Sequence, residues 1–164
     1  MFDLPEKKRS LRNELRRQLR HAHFGCLQGS VWVSPDPMDK IRHDLRSTSP
    51  DCGVMIFLDA TTCGGENAAE VVKSSWDFAK LGRLFQAHAE HIQKLPAGKK
   101  GHVGTDLLAW ASKENALWLA CMAADPLLPR ELLPNTYPGL EAWKKRIAAL
   151  RKAGKLALKD STKL

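Results

Sequence analysis

Apolar side chains recur every three or four residues in several stretches of the chain, and this period is typical of helices with one buried face. The predicted helices span Glu6–Ala22, Asn67–Lys73, Phe78–Leu95, Val103–Ala123 and Leu140–Leu150. The fourth is apolar on most of its surface, so it should be buried on more than one side. We expect the tail after the last helix to fray from Lys155.

Two other stretches favour extended chain. Cys26–Ser34 is rich in β-branched and aromatic residues and ends at a proline, so it predicts one strand. Gly53–Asp59 is almost entirely apolar, as expected for a strand covered on both faces. With a strand stub at Met1–Asp3 and a short helix at Pro37–Ser47, the element order predicts an α+β, ferredoxin-like domain.

We predict this ferredoxin-like domain over residues 1–62 and an all-helical C-terminal domain over residues 63–164. The helical domain contains a proline-rich segment at 125–139, which cannot form a regular helix. Its two leucine pairs need burial, so we predict a rigid strap that the leucines pin across the helices. The residues predicted to build the strap are Asp125, Leu127, Leu128, Leu132, Leu133, Pro134 and Gly139.

Basic residues are concentrated at two places in a chain whose net charge is +8. Lys7–His23 holds seven Lys or Arg against one Glu, and Trp143–Leu164 holds eight against one Asp. On the first helix the basic residues form a second stripe, away from the leucines. This stripe is either a solvated face or a set of contacts to DNA phosphates. Its members are Arg9, Arg12, Arg16 and Arg20.

The chain carries no motif of a catalytic or nucleotide-binding site. It has no glycine-rich phosphate loop, no nucleophile elbow and no cysteine pair with metal-ligand spacing. We therefore expect no enzyme activity, no cofactor and no metal. The apolar runs are shorter than the roughly 18 residues of a membrane span. No signal peptide precedes the first helix, so we predict a cytoplasmic protein without membrane contact.

The proline-rich segment resembles the C-terminal hallmark of the PaaX family of transcriptional repressors. The shared residues are Asp125-Pro126-Leu127-Leu128-Pro129, Glu131-Leu132-Leu133-Pro134 and Pro138-Gly139, with Tyr137 where family members usually carry Trp. Four other stretches also fit, so the resemblance covers most of residues 2–150. They are Phe2-Asp3-Leu4-Pro5, Phe24-Gly25, Ser30-Val31-Trp32-Val33-Ser34-Pro35 and Trp76-Asp77.

The resemblance implies a repressor of aromatic-acid catabolism, notably of phenylacetate, which an acyl-CoA such as phenylacetyl-CoA relieves. The family architecture is a winged helix, a ferredoxin-like domain and a helical domain. Because the winged helix would lie before Phe2, where Met1 stands, we expect only the effector-sensing and dimerisation portion here. Specific DNA binding would then need the further domain, and the basic helix would contribute weak contacts at most. We expect a homodimer that associates through sheet edges.

Aromatic side chains in the helical half are candidates for an aromatic-acyl pocket, because such pockets are mostly apolar with few polar groups. The candidates are Trp110, Trp118 and Tyr137, and Arg130 is a candidate for contact with the coenzyme phosphates. Ordinary core packing is the alternative role for each aromatic residue.

Two other classes of protein remain open. The first half is similar to the small subunit of the CRISPR spacer-integration complex, in a strand ending at Asp3, a basic helix and Leu27-Gln28-Gly29-Ser30-Val31-Trp32. That resemblance makes Asp3 a candidate metal ligand of a nuclease, although a residue that caps the helix start explains it as well. The helical half argues against a nuclease, whose family is a lone ferredoxin-like domain. An interaction domain without a ligand is the third possibility.

Overall fold

The computed structural model describes residues 1, 9–37, 55–61, 64–65, 67–96 and 103–161 of the chain. The described elements are α1 (Arg9–His21), β1 (Gly25–Gln28), β2 (Val31–Val33), α2 (Ala68–Ser75), α3 (Phe78–Ile92), α4 (Val103–Ala124), a 3₁₀ turn (Arg130–Leu132) and α5 (Gly139–Ser161). They group into two compact units. The first comprises Met1–Asp77 and Asp125–Asn135, and the second comprises Phe78–Ala124 and Thr136–Leu164.

Helix α1 provides most of the core of the first unit. Leu15 and Leu19 are buried together with Phe24, which follows the helix. Partly buried apolar residues from α1, β2 and residues 55–57 pack against these three side chains. The amphipathic helix predicted from the leucine spacing is therefore confirmed over the residues that the structure describes.

A β-hairpin replaces the single strand that was predicted over Cys26–Ser34. Strands β1 and β2 pair antiparallel, with Cys26 opposite Trp32 and an irregularity in the register before Gln28. The chain reverses at Gly29, whose φ of 55° lies in the left-handed region that glycine adopts without steric cost. A two-residue loop with this conformation suits a hairpin, so the prediction of one continuous strand was wrong.

The described part of the first unit is a mixed helix and sheet fold with a two-stranded sheet. Met1 and Ile56 also exchange two backbone hydrogen bonds of 2.9 Å, as residues in paired strands do. The predicted helix at Pro37–Ser47 and most of the predicted strand stub at Met1–Asp3 lie outside the described residues. The ferredoxin-like arrangement therefore stays a prediction.

Helix α2 begins where the sequence predicts, with the Asn67 side chain accepting a hydrogen bond of 3.0 Å from the backbone N–H of Glu70. The helix packs directly on β1. A Cβ atom added at Gly25 would lie 2.7 Å from the Cβ of Ser75 and equally close to the Trp76 ring. Only glycine fits at this contact between the strand and the end of α2.

The proline-rich segment divides between the two units. Residues 125–135 group with the first unit, whereas the prediction assigned the whole strap to the helical domain. The carbonyl of Asp125 lies 2.7 Å from the His23 Nδ1 atom, just after α1. The His23 carbonyl accepts a hydrogen bond of 3.2 Å from the Trp76 Nε1–H. These contacts hold the segment beside α1 and α2, and residues 63–77 join the same unit.

The four leucines of the strap do not share one environment. Leu128 is 6% exposed, whereas Leu127 is 60% exposed and adopts a φ of 50°. Leu132 and Leu133 are half-buried, and Pro134 follows them. Asp125 is buried, and its Oδ1 atom accepts a hydrogen bond of 2.9 Å from the Leu127 N–H. Burial of Leu127 was therefore a wrong expectation, because its backbone conformation turns the side chain toward solvent.

Three long helices form the second unit. One buried cluster contains Leu81 and Phe85 of α3, Trp118 and Cys121 of α4 and Ala142 of α5. A second cluster lies around Trp110, with Ala149 and Ala153 of α5. The last helix extends to Ser161, so the expected fraying from Lys155 was wrong. The first residue of this helix is closely packed, because a Cβ atom on Gly139 would clash with the Tyr137 ring.

Candidate functional site

The first unit contains an apolar cavity of about 380 Å³. Helix α1, strand β2, residues 55–60 and helix α2 contribute its walls. Apart from Ser34, its walls are built from apolar residue types, among them Leu19, Phe24, Val33, Met55, Phe57 and Val71. The volume lies in the range of about 300–1,000 Å³ that is typical of pockets for small ligands.

Trp32 lies in the wall of this cavity and carries a buried polar group. The residue lines the cavity, and its indole Nε1 atom is buried without a hydrogen-bond partner among the described residues. An indole N–H can only donate, and a buried donor without an acceptor costs roughly 1–3 kcal/mol. The Arg20 guanidinium lies 5.6 Å from the centre of the same ring. A largely apolar ligand would therefore suit the lining of this cavity.

The aromatic residues that were predicted to bind ligand lie in the second unit and already contact other side chains. Trp110 stacks on His91 at 5.8 Å between ring centres, and its Nε1–H donates to the His91 carbonyl at 3.3 Å. Trp118 packs against Phe85 at 6.0 Å between ring centres, and Tyr137 packs against the same Phe85 ring at 6.2 Å. These contacts place the three aromatic candidates in or against the core.

Arg130 belongs to a different unit from the three aromatic candidates. It lies exposed on the 3₁₀ turn, within the part of the strap that belongs to the first unit. Two of the predicted residues, Trp118 and Tyr137, share one cluster through Phe85, whereas Trp110 belongs to another. The role of all four in ligand binding stays a prediction.

The second unit also buries a charged network, which joins its three helices. Glu114 of α4 is 2% exposed and accepts hydrogen bonds from Arg146 of α5, with 2.7 Å from Nε to Oε1 and 3.3 Å from Nη2 to Oε2. His88 of α3 is fully buried, with its Nε2 atom 2.9 Å from the same Oε1. Trp118 covers the network, because its ring lies 4.7 Å from the guanidinium and 5.1 Å from the imidazole.

The contacts of this network determine its charge. Burial raises the pKa of the Glu114 carboxyl, but the hydrogen bonds from Arg146 and His88 lower it more, so the net pKa is below the ordinary value. The His88 Nδ1 atom is buried without a partner among the described residues. A proton on Nε2 lets the His88 ring donate to Glu114. The network is thus an Arg146–Glu114 ion pair whose carboxylate also contacts the buried His88 ring.

The sequence analysis did not identify this network, although two signals for it were present. Glu114 is a carboxylate in a helix that is apolar on most sides, and it lies four residues from both Trp110 and Trp118. That spacing places it on their face of α4, which is the buried one. His88 belongs to the apolar stripe of α3 for the same reason. The pairing with Arg146, 32 residues later, could not be read from the sequence.

The four arginines of the α1 stripe differ in their exposure to solvent. Arg9 and Arg20 are exposed, whereas Arg12 and Arg16 are half-buried. Arg20 lies near the cavity through its contact with the Trp32 ring. Asp3, the candidate of the nuclease alternative, lies outside the described residues.

The described residues also bear on metal ligands and on membrane-spanning helices. Within these ranges, no three His, Cys, Asp or Glu side chains lie together as metal ligands would. None of the helices in the same part of the chain combines the length and the apolar character that crossing a bilayer requires.

The fold and the cavity define a small α+β domain with space for an apolar ligand, followed in the structure by a helical unit. Residues 1–72 match the family model of the PaaX protein central Cas2-like domain. Over these residues, the match confirms the resemblance to the PaaX family that the motifs indicated. No curated protein matches the chain.

A solved structure shares the fold over nearly the whole chain. It is the uncharacterized protein Rv0674 from Mycobacterium tuberculosis, with 24% identity and a TM-score of 0.58. The match covers 99% of this chain but 60% of that protein, so this chain spans about three fifths of its length. At this identity the likeness establishes the fold alone.

Proposed function

We propose that the chain is the effector-sensing and self-associating portion of a PaaX-type transcriptional repressor, and that its effector is an aromatic acyl-CoA such as phenylacetyl-CoA. The observation that carries the proposal is the apolar cavity. Its described lining residues all fall within the 1–72 stretch that matches the PaaX central domain. A regulator needs a place for a small molecule, and this cavity has the size and lining of one.

In this proposal the acyl group occupies the cavity and its thioester carbonyl accepts a hydrogen bond from the Trp32 Nε1–H. The carbonyl thereby supplies the acceptor that the indole lacks. The coenzyme phosphates would meet the arginines of α1, because Arg20 lies against the Trp32 ring. Arginine suits this role, since its planar guanidinium binds phosphate oxygens in pairs.

The first unit is a better candidate for the acyl site than the tryptophans of the second unit. Trp110 and Trp118 are 4% and 7% exposed, and both are occupied by contacts within the core. A ligand there would have to displace side chains that already fill the space, which costs packing energy. The cavity beside Trp32 needs no such displacement.

Isothermal titration calorimetry with phenylacetyl-CoA tests the proposal. We expect Val33→Phe, which fills the cavity, to weaken binding at least tenfold, equivalent to about 1.4 kcal/mol. Trp32→Phe removes the donor but keeps an aromatic ring, and it should weaken binding about fivefold to tenfold. Trp118→Phe, in the core of the second unit, serves as the control and should bind as the wild type does.

Two results would overturn the proposal. The first is an absence of heat with folded wild-type protein. The second is the reverse pattern among the variants, in which Trp118→Phe loses binding and Val33→Phe keeps it. Free coenzyme A must bind more weakly than its acylated form, because the cavity is proposed for the acyl group.

The regulatory role also predicts how the chain behaves with DNA. The first helix leads into a hairpin rather than a second helix, so it is not arranged as a helix-turn-helix. Binding by this chain alone should be weak, indifferent to sequence and steeply reduced between about 50 and 200 mM salt. Fluorescence anisotropy with a candidate operator and a scrambled duplex measures this. A tenfold preference for the operator at the higher salt would show that this chain reads DNA by itself.

A further inference from the structure

Helix α5 carries a stripe of basic residues on one outward side. Between Glu141 and Asp160, the sequence of this helix holds seven Lys or Arg and no acidic residue. Arg146 turns inward to Glu114, whereas the other six basic residues all occupy exposed positions. At roughly 100° per residue, these six fall within an arc of about 120° and extend over about 22 Å of the helix. This basic stripe consists of Lys144, Lys145, Arg151, Lys152, Lys155 and Lys159.

The basic stripe has little negative charge beside it on its own helix. Lys144 pairs with Glu141 at 2.7 Å, and the sequence places no other acidic residue in the same arc of α5. No acidic residue stands three or four positions from any of the last four members of the stripe, whereas Lys155 stands four positions from both Arg151 and Lys159. Like charges at this spacing repel each other and destabilise a helix. The stripe therefore lowers the stability of the free chain, and a polyanion bound along it would relieve the repulsion.

Helix α1, the other basic helix, presents its charges differently. Arg17 pairs with Glu14 through hydrogen bonds of 3.0 and 2.7 Å, and Arg16 is half-buried. Arg20 lies 5.6 Å from the centre of the Trp32 ring. The basic side of α1 is therefore interrupted by contacts within the first unit, whereas the stripe of α5 is continuous.

The shape of the stripe indicates the class of partner. A straight row of exposed cations matches a linear polyanion, such as the phosphate backbone of a nucleic acid. A helix that lies on a membrane buries its apolar side in the lipid, but the apolar side of α5 is already packed in the core through Ala149 and Ala153. Single strands are held by aromatic side chains among the cations, and the arc of the stripe contains none. A duplex backbone therefore fits this surface best.

We propose that the basic stripe of α5 binds the phosphate backbone of duplex DNA without reading its sequence. The inference goes beyond the proposed function, which assigns no residue to contact with DNA, and it rests on that function for the choice of DNA over duplex RNA. Lysine and arginine contacts to phosphates release counterions and add affinity, but they carry no sequence information. The stripe thus raises the affinity of the chain for DNA of any sequence.

Fluorescence anisotropy with the full chain and a labelled, mixed-sequence DNA duplex tests the proposal. The variant R151Q/K155Q/K159Q should bind at least tenfold more weakly than the wild type at about 50 mM salt. The slope of log affinity against log salt concentration should become shallower by about one for each residue replaced. Glutamine keeps the helix and removes the repulsion, so this variant should melt no lower than the wild type.

The matched control is R83Q/K94Q/K113Q, which removes the same charge from exposed positions of the second unit outside α5. It should bind DNA within about threefold of the wild type and keep the salt slope. Equal losses in the two triple variants would overturn the proposal, because net charge alone would then explain binding. A wild type that does not bind the duplex at about 50 mM salt, or a stripe variant that binds as the wild type does, would also overturn it.

Two further ligands test the choice of partner. Duplex RNA of the same sequence that binds at least tenfold more tightly than the DNA would overturn the choice of DNA. Vesicles of phosphatidylserine and phosphatidylcholine would overturn it if the stripe variant lost binding to them and kept binding to DNA. Calorimetry with phenylacetyl-CoA separates the stripe from the proposed function, because the stripe variant should bind this effector as the wild type does. A wild type that binds DNA through the stripe but does not bind the effector would refute the proposed effector and leave the stripe supported.

Discussion

The two units of the molecule treat their tryptophans and polar groups in opposite ways. In the second unit, Trp118 covers a buried ion pair, and the carboxylate, guanidinium and Nε2 atom within reach of one another are paired. In the first unit, Trp32 borders a cavity and its N–H donor is left without a partner. Because the His88 Nδ1 atom of the second unit is also buried without a partner among the described residues, the adjacent cavity, rather than the missing partner alone, makes the first unit the proposed ligand site.

The two units also differ in the contacts that stabilise them. The second unit is held by a network that joins three helices, and a buried ion pair is sensitive to the loss of either partner. The first unit is held by a small apolar core around Leu15, Leu19 and Phe24. Four experiments, in order of decreasing expected effect, test this difference between the units.

The largest effect is expected from Arg146→Met, which leaves Glu114 buried without its cation. Removing one partner of a buried pair costs about 3–5 kcal/mol, which lowers the melting temperature of a chain of this size by about 10 °C. Lys144→Met is the matched control, because Lys144 pairs with Glu141 at 2.7 Å while both side chains remain largely exposed. Its cost should stay under about 1 kcal/mol. Equal losses in urea unfolding would show that burial of the network does not matter.

Substitutions at two adjacent leucines test how much the strap contributes to the stability of the first unit. Leu128→Ala should cost about 2–5 kcal/mol, since the side chain is 6% exposed. Leu127→Ala should change stability by less than about 0.5 kcal/mol, because Leu127 is 60% exposed. Thermal unfolding of both variants makes the comparison. If Leu128→Ala melts like the wild type, the strap does not contribute to the core.

The network of the second unit should also give a pH signature. Because the folded pKa of Glu114 is below its ordinary value, its stabilising contribution is complete above the unfolded pKa of about 4.3 and is lost as the pH falls through the folded pKa. In Arg146→Met, burial dominates and raises the pKa, so the sign reverses and acid should stabilise the variant relative to neutral pH. Urea midpoints at pH 7, 5 and 4 test this. Parallel pH profiles for the two proteins would contradict it.

The smallest effect is expected at the hairpin of the first unit. Gly29 has a φ of 55° and nothing lies within 4 Å of the position that a Cβ atom would occupy. Gly29→Ala should therefore cost only the backbone strain of the left-handed conformation, about 1 kcal/mol. Gly29→Asn should recover part of this loss, because asparagine tolerates the conformation. A loss above about 3 kcal/mol would mean that the loop makes contacts beyond its own turn.

Local patterns predicted the helices well, because helix formation depends on neighbours three and four residues apart. The buried face of α1 and the start of α2 near Asn67 could be read directly from the sequence. The hairpin was missed because a glycine and a serine interrupt a run of strand-forming residues without a stronger turn signal. The last helix was predicted too short, because its basic residues read as a tail although α5 remains helical to Ser161.

Contacts between distant residues account for most of what the sequence could not provide. The strap groups with the first unit, and the His23 ring lies against the carbonyl of Asp125, 102 residues later. No local pattern encodes that pairing. The cavity beside Trp32 likewise depends on the meeting of α1, β2 and α2, so the sequence directed attention to the tryptophans of the helical half. The unused donor became visible only in the structure.

The central claim is that the first unit, rather than the tryptophan core of the second, takes the acyl effector. Hydrogen exchange with and without phenylacetyl-CoA tests it most directly, because amides near a bound ligand open less often. We predict slower exchange in peptides that cover residues 19–34 and 55–60, with no change across residues 107–121. Slower exchange confined to residues 107–121, around Trp110 and Trp118, would contradict the account.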